Sequence, residues 1–338
     1  MLDIKSMTPE EIETLIIGMR QPKFRAKQLF KWLHRGVTSF DDMTDMPKEF
    51  RAALGEICEI KSAEIVKEYQ SALDSTRKYL VKFNDGQHAE TVLMEYRHGF
   101  SLCVSSQVGC KMGCTFCATG RCGFIRDLTA SEMLAQITAV SIHNNIRISN
   151  VVLMGMGEPL DNFDNVMRFC ELVSHPDGVC VGQRHLSVST CGLVDKIERL
   201  ASVNPQFTLS VSLHAPNDCI RNRIMPVNRM WGVDELLAVC ERYAKVTGRR
   251  VTFEYALISG ENDGDECAAE LAEKLKGMLC HVNLIPVNGS PETGYEQPDK
   301  ARIKAFCGIL TGRGINATVR RTLGADIEAS CGQLRVNA

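Results

Sequence analysis

Three cysteines carry the strongest chemical signal in the chain. Cys110, Cys114 and Cys117 fall in the run Gly109-Cys110-Lys111-Met112-Gly113-Cys114-Thr115-Phe116-Cys117, where two glycines allow a compact loop to gather three thiolates. Three sulfurs are one ligand short of a closed structural zinc site. They are also one short of an iron–sulfur cluster held wholly by protein. The spacing therefore points to a metal with one position left open for a substrate. Structural zinc completed by a distant fourth cysteine is the competing reading.

Other residues could complete such a site. Met154-Gly155-Met156-Gly157-Glu158-Pro159 follows a strand-like run, so Gly157 permits close backbone approach and Glu158 could receive an ammonium. Ser189 and Ser212-Leu213-His214 end the next two strand-like runs, and Asn288 closes a later one. Parallel α/β folds place ligands at these strand ends. Cys103 precedes the cluster by seven residues, and Cys331 sits in a C-terminal segment without helical or strand periodicity. Each on its own reads as a buried, inert thiol. Glu90 alternates with Val92, Met94 and Tyr96 on one strand face, which turns it toward a protein surface. Lys23, Lys27 and Lys31 recur at i, i+4 between Phe24, Phe30 and Trp32, and no acid stands between Glu13 and Asp41. That stripe fits local phosphate binding, and equally a solvated helix face.

The elements that must position these residues follow from periodicity. Helices are expected from Thr8-Pro9, over 22–35 and from about Pro47, then strands over 63–69, 77–83 and 90–96, the last two of the three separated by the turn Asn84-Asp85-Gly86. Strands over 102–105, 151–154, 185–189, 208–213, 251–257 and 282–285 alternate with helices over 130–143, 166–173, 233–244, 266–276 and 300–310, and a last strand covers 316–320. Such alternation means βαβ units around a parallel sheet, with six units rather than the eight of a closed barrel.

Composition narrows the class. The 338 residues are 44% apolar and 24% charged with a net charge of −2, an ordinary globular balance in which any nucleic-acid surface must be local. Seven Lys/Arg against three Asp/Glu in the last 40 residues make one such patch beside Cys331. No run reaches the ~18 apolar residues of a membrane helix, and no secretory leader is visible. Fifteen cysteines without a leader suit a reducing compartment, where thiols serve metals and chemistry. A cytoplasmic location is the expectation.

The CxxxCxxC spacing with Phe116 before the last cysteine resembles the radical S-adenosylmethionine superfamily. Further blocks narrow it: Phe24–Phe30, Glu90-Thr91-Val92, Cys103–Cys110, Met154–Pro159, Ser212–Asp218, Asn283–Pro286 and Cys331–Leu334. Together they resemble the RlmN/Cfr family of RNA adenine methyltransferases. The resemblance implies an α/β fold: a partial (β/α)6 barrel over 100–321, preceded by a helical RNA-binding accessory domain over 1–60 and a β extension over 61–99. A tail over 322–338 follows.

It also implies a 4Fe-4S cluster on Cys110, Cys114 and Cys117, with S-adenosylmethionine held by Gly157, Glu158, Ser189, Ser212, Leu213, His214 and Asn288. Cys331 would be the methyl carrier, Cys103 the thiol that resolves a covalent protein–RNA adduct, and Glu90 the proton acceptor, with two S-adenosylmethionines used per turnover. The implied substrate is adenine carbon 2 in 23S rRNA, with a tRNA adenosine next to the anticodon as a second candidate. An electron donor such as flavodoxin or ferredoxin, a monomeric state and no membrane partner complete the expectation. Carbon-8 methylation of the Cfr type is the alternative within the family. Pro159 after Glu158 resembles the carbon-2 branch. A departure is Gly289, where relatives often carry proline. Outside the family, a non-catalytic iron–sulfur or zinc RNA-binding protein is the other reading.

Overall fold

The computed structural model describes residues 1–288 and 294–335; Gly289 and the last three residues of the tail lie outside the described residues. The N-terminal segment opens with the two-residue strand β1 (Leu2–Asp3) and three helices, α1 (Pro9–Gly18), α2 (Phe24–His34) and α3 (Lys48–Ile57). Thr8 and Glu11 form a reciprocal capping box with Pro9 at the first helical position, which fixes where α1 begins. Ile12, Ile16, Leu29, Phe30, Leu33, Phe50 and Leu54 are buried at helical spacing, so the three helices share one core. Strand β2 (Cys58–Glu59) returns to pair in parallel with β1.

Next come β3 (Ala63–Gln70), β4 (Arg77–Phe83), β5 (His88–Tyr96) and β6 (Gly99–Cys103), an antiparallel meander. A hairpin of β7 (Gln107–Gly109) and β8 (Phe124–Asp127) brackets the three-cysteine loop, which runs into the single-turn helix α4 (Ala118–Arg121). The alternating part follows: α5 (Ala130–Asn144), β9 (Ile148–Leu153), α6 (Phe163–Ser174), β10 (Leu186–Thr190), α7 (Val194–Val203), β11 (Thr208–Ser212), α8 (Asp218–Ile224) and α9 (Val233–Thr247). It ends with β12 (Val251–Leu257), α10 (Asp265–Lys274), β13 (Cys280–Pro286), α11 (Lys300–Gly312) and β14 (Ala317–Val319).

Ten strands form one sheet in the order β14-β13-β12-β11-β10-β9-β6-β5-β4-β3. From β6 to β14 neighbouring strands are parallel, so their carboxyl ends open on one side. This is an incomplete α/β barrel. The β extension does not stand apart, because β5 pairs antiparallel with β6 and continues the barrel sheet.

Two expectations shift. The strand expected over 102–105 stops at Cys103, because the Ser105 amide leaves the ladder to donate to Gln136 Oε1 (2.9 Å) while its hydroxyl donates to the Glu90 carbonyl (2.6 Å). Helix α7 lies where periodicity predicts none; Val194, Ile197 and Leu200 bury one stripe of a segment only ten residues long. Among the described residues no helix is long and apolar enough to cross a membrane.

Candidate active site

The three-cysteine loop has a fixed shape. Gly109 sits at φ +78°, where a Cβ would collide with the Gly123 carbonyl, so only glycine allows this approach of β7 to β8. The Cys110 amide donates to Gly123 O (2.8 Å), and the Cys117 amide to Cys114 O (3.1 Å). All three thiols line one cavity.

Burial pushes the Cys110 thiol up to about 12 and raises Cys114 well above the ordinary range. Lys111 does not relieve this, since its ammonium meets Asp161 (2.9 Å). Such thiols ionise only when a cationic metal takes them. Three thiols on one cavity wall, gathered by a tight loop, fit a cluster held by three protein sulfurs with one position left open.

The strand ends build the rest of the cavity. Gly157, Glu158, Ser189, Ser212 and His214 line it beside the thiols. Glu158 is buried: its amide donates to Gln107 Oε1 (2.8 Å), and its carboxylate accepts from the Leu160 amide (3.0 Å) and the Cys191 amide (2.7 Å). Two amide bonds leave acceptor capacity for an ammonium. The Ser189 hydroxyl donates to Leu153 O (2.7 Å).

His214 adopts φ +58°, and its Nδ1 accepts from the Ala256 amide (2.9 Å), which places the neutral ring's proton on Nε2. Burial, with Arg221 nearby, holds this histidine down at about 3, so it stays neutral. Two expected ligand contacts lie elsewhere. Leu213 is fully buried off the cavity wall and offers only its carbonyl, to Arg221 Nε (3.0 Å). Asn288 lines an adjoining chamber.

That second chamber is walled by Val92, Met94, Tyr96, Cys103 and Arg320, and Cys331 lines both spaces. Cys103 is the last residue of β6, held between Val92 of β5 and Val152 of β9. Burial, reinforced by Cys331, pushes its thiol up to about 12, and Arg320 acts against that. Cys103 and Cys331 are both free thiols.

The tail presenting Cys331 is tied down on two sides. Toward the cluster loop, Ala118 donates its amide to Gly332 O (2.7 Å) and Thr119 its hydroxyl to Leu334 O (2.6 Å). Toward the β extension, Asp326 accepts from Ser71 (2.6 Å) and from the Ala72 amide (2.7 Å). Glu90 is buried there, its carboxylate meeting Lys78 Nζ (3.0 Å) and the Arg335 amide (2.8 Å).

Residues 104–272 match the radical SAM superfamily, and residues 2–60 match the ribosomal RNA large subunit methyltransferase N-terminal domain. A relative from Clostridium botulinum (strain Eklund 17B / Type B) is 50% identical over 335 residues, 99% of this chain and 96% of its own. One from Lachnospira eligens is 47% identical over 336 residues with the same coverage. Both carry the name "Probable dual-specificity RNA methyltransferase RlmN". The chain belongs to the RlmN family. The crystal structure of a radical SAM methyltransferase from Sphaerobacter thermophilus superposes with a TM-score of 0.94 at 46% identity, covering 99% of both chains.

Within this RlmN-family site, sequence reasoning missed three charged residues. Arg320 lines both chambers, Glu254 lines the cluster cavity, and Arg221 lies fully buried beneath it. Glu254 had a signal, being the one charge in the otherwise apolar strand 251–257. The stripe on α2 lies apart from the cavity. Lys23 pairs with Glu13 (2.8 Å), while Lys27 and Lys31 share Asp177 (3.1 and 3.3 Å).

Proposed function

We propose that this RlmN-family methyltransferase methylates carbon 2 of an adenosine in 23S rRNA, and of the tRNA adenosine next to the anticodon, using two S-adenosylmethionines per turnover. The observation that carries the reading is the position of Cys331, shared by the cavity of the three cluster cysteines and the chamber of Cys103. A cluster and S-adenosylmethionine, when bound, supply a sulfonium methyl group and radical hydrogen abstraction.

The chain's own residues do the rest. Cys331 accepts a methyl group on sulfur and carries that carbon to the adenine ring. Glu90 takes the ring proton, for which residues near Arg335 must lift from its carboxylate. The Cys103 thiolate then attacks the Cys331 sulfur, so an S–S bond forms as the S–C bond breaks; the bonding pair stays on the transferred carbon, a proton from solvent completes the methyl group, and methylated RNA leaves. A ring carbon inside stacked RNA is out of reach, so the adenosine enters splayed from its neighbours. Pro159 after Glu158 favours carbon 2 over carbon 8. The electron that the cluster would need, once held by Cys110, Cys114 and Cys117, would come from a donor such as flavodoxin or ferredoxin.

Cys103→Ala tests the sequence of events. The variant keeps the carrier and loses the resolving thiol, so protein purified from cells should hold RNA on Cys331 through a methylene bridge. Mass spectrometry of the nuclease-trimmed peptide containing Cys331 reads this directly. An unmodified peptide, or methylation at the normal rate, overturns the assignment.

A further inference from the structure

Arg221 is fully buried on α8, and nothing in the reaction as proposed uses it. Its guanidinium is spent on the ends of two strands. Nε donates to Leu213 O (3.0 Å), and Nη2 to both Cys191 O (2.7 Å) and Ser212 O (3.1 Å). Nη1 donates to Asn228 Oδ1 (2.9 Å), whose own amide donates to Asp218 Oδ1 (2.9 Å). Among the described residues no carboxylate hydrogen-bonds the guanidinium; Asp218 is bonded to its partner Asn228 and acts on the cation electrostatically.

A buried cation without a contacting anion is costly, and carbonyl dipoles offset only part of that cost. What faces it explains its retention. Arg221 lies within electrostatic reach of Cys191, Cys114 and Asp218, behind the wall where the three cluster thiols, once metal-bound, would gather negative charge beside Glu158. Lys111 is turned to Asp161, and Arg320 faces Glu254 and Cys331. Arg221 is therefore a fixed, fully buried cation on the cluster side of the cavity, alongside Arg121, which donates to Thr115 O (3.4 Å) in the cysteine loop. The same fork holds the backbone around Cys191, Ser212 and Leu213, from which Ser212 and His214 project into the ligand space.

We infer that Arg221 is a positioning residue that sets both shape and charge of the cofactor cavity: it clamps the carboxyl ends of β10 and β11, and its charge favours the more anionic, one-electron-reduced form of the bound cluster. The inference rests on the active-site reading above.

The test uses full-length wild type, R221Q and R221K, each reconstituted with iron and sulfide. Dithionite titration followed by electron paramagnetic resonance gives the midpoint potential, and calorimetry gives S-adenosylmethionine affinity. R221Q should lose about tenfold in the reduced-to-oxidised ratio at a set potential, a shift of about 59 mV downward, and should bind S-adenosylmethionine about tenfold more weakly. R221K keeps the charge and should hold the midpoint near wild type, yet bind weakly, because an ammonium cannot reproduce the planar fork.

An unmoved midpoint in R221Q, or R221K matching R221Q in midpoint, overturns the electrostatic role. Wild-type affinity in both overturns the clamp. If both variants fail to take up iron while wild type does, Arg221 is only structural and the inference falls. A wild type that holds no four-iron cluster instead sinks the active-site reading itself.

Discussion

Cys103 and Cys331 come to one chamber from opposite ends of the barrel sequence, and Arg320 stands between their demands. Burial pushes Cys103 to about 12, and the guanidinium is the cation that opposes this. Because the thiolate is the nucleophile in disulfide exchange, Arg320→Met should slow release of the RNA adduct about tenfold near neutral pH. Both rates should rise about tenfold per pH unit between pH 7 and 9 and keep the same ratio, because that range lies far below the Cys103 value in either protein. Single-turnover release between pH 7 and 9 reads this; wild-type release at pH 7.5 would show that Arg320 leaves Cys103 untouched. The three cluster cysteines were legible in the sequence because their spacing is improbable, whereas Cys103 and Cys331 stood out only through the resemblance to the family. Arg320, Glu254 and Arg221 were not legible, because one charged residue in a strand or helix has no spacing to betray it. Their roles arise from register, as when Glu254 meets Ser212 and Asn283 across β11–β12–β13.

Helix α2 shows what an element's pattern tells and withholds. Its lysine spacing predicts the exposed stripe, but the partner of Lys27 and Lys31, Asp177, lies in the loop beyond α6 and was invisible. These are surface pairs, with lysine side chains 65% and 44% exposed, and such pairs contribute little. RNA phosphates could replace Asp177 at small cost. Asp177→Asn should therefore strengthen RNA binding by up to about fivefold. Replacing Lys23, Lys27 and Lys31 by alanine should flatten the salt dependence by about 0.7–0.9 for each phosphate that a lysine had neutralised. Filter binding across a salt series measures both, and an unchanged slope marks the stripe as a solvated face. Helix α7 escaped the sequence reading because its buried stripe, Val194, Ile197 and Leu200, spans too short a segment to separate from a loop.

Across the whole molecule, the alternation of strand and helix pointed to the open barrel, while the seam between barrel and N-terminal helices had to be seen. His34 lies in that seam against Phe30 (ring centroids 4.1 Å apart), and neither ring nitrogen has a partner. Burial holds it down at about 3. The unfolded chain takes up this proton near pH 6.5, the folded chain only near 3, so the unfolded state binds more protons in between. Stability must therefore fall as pH drops through that window, by up to about 1.4 kcal/mol per pH unit for this one group. His34→Phe should remove that part of the slope. Urea midpoints at pH 7 and pH 5 test it: the variant should lose less than wild type, and equal losses would place acid sensitivity elsewhere.

The docking of Gly332 and Leu334 on the turn after Cys117 has a thermodynamic consequence. One short stretch of backbone, residues 117–119, both shapes the metal loop and carries the hydrogen bonds that order the tail. Two binding events that share such a segment are linked, and linkage is reciprocal. Metal occupancy should tighten the tail, and shortening the tail should cost metal affinity by the same factor. Hydrogen exchange of amides 323–335 should accordingly be slower in iron-loaded protein than in apoprotein. A truncation after Ala329 should release iron to a chelator faster than the full chain does. In this family the methyl carrier would then be held ready only on molecules that already own a cluster.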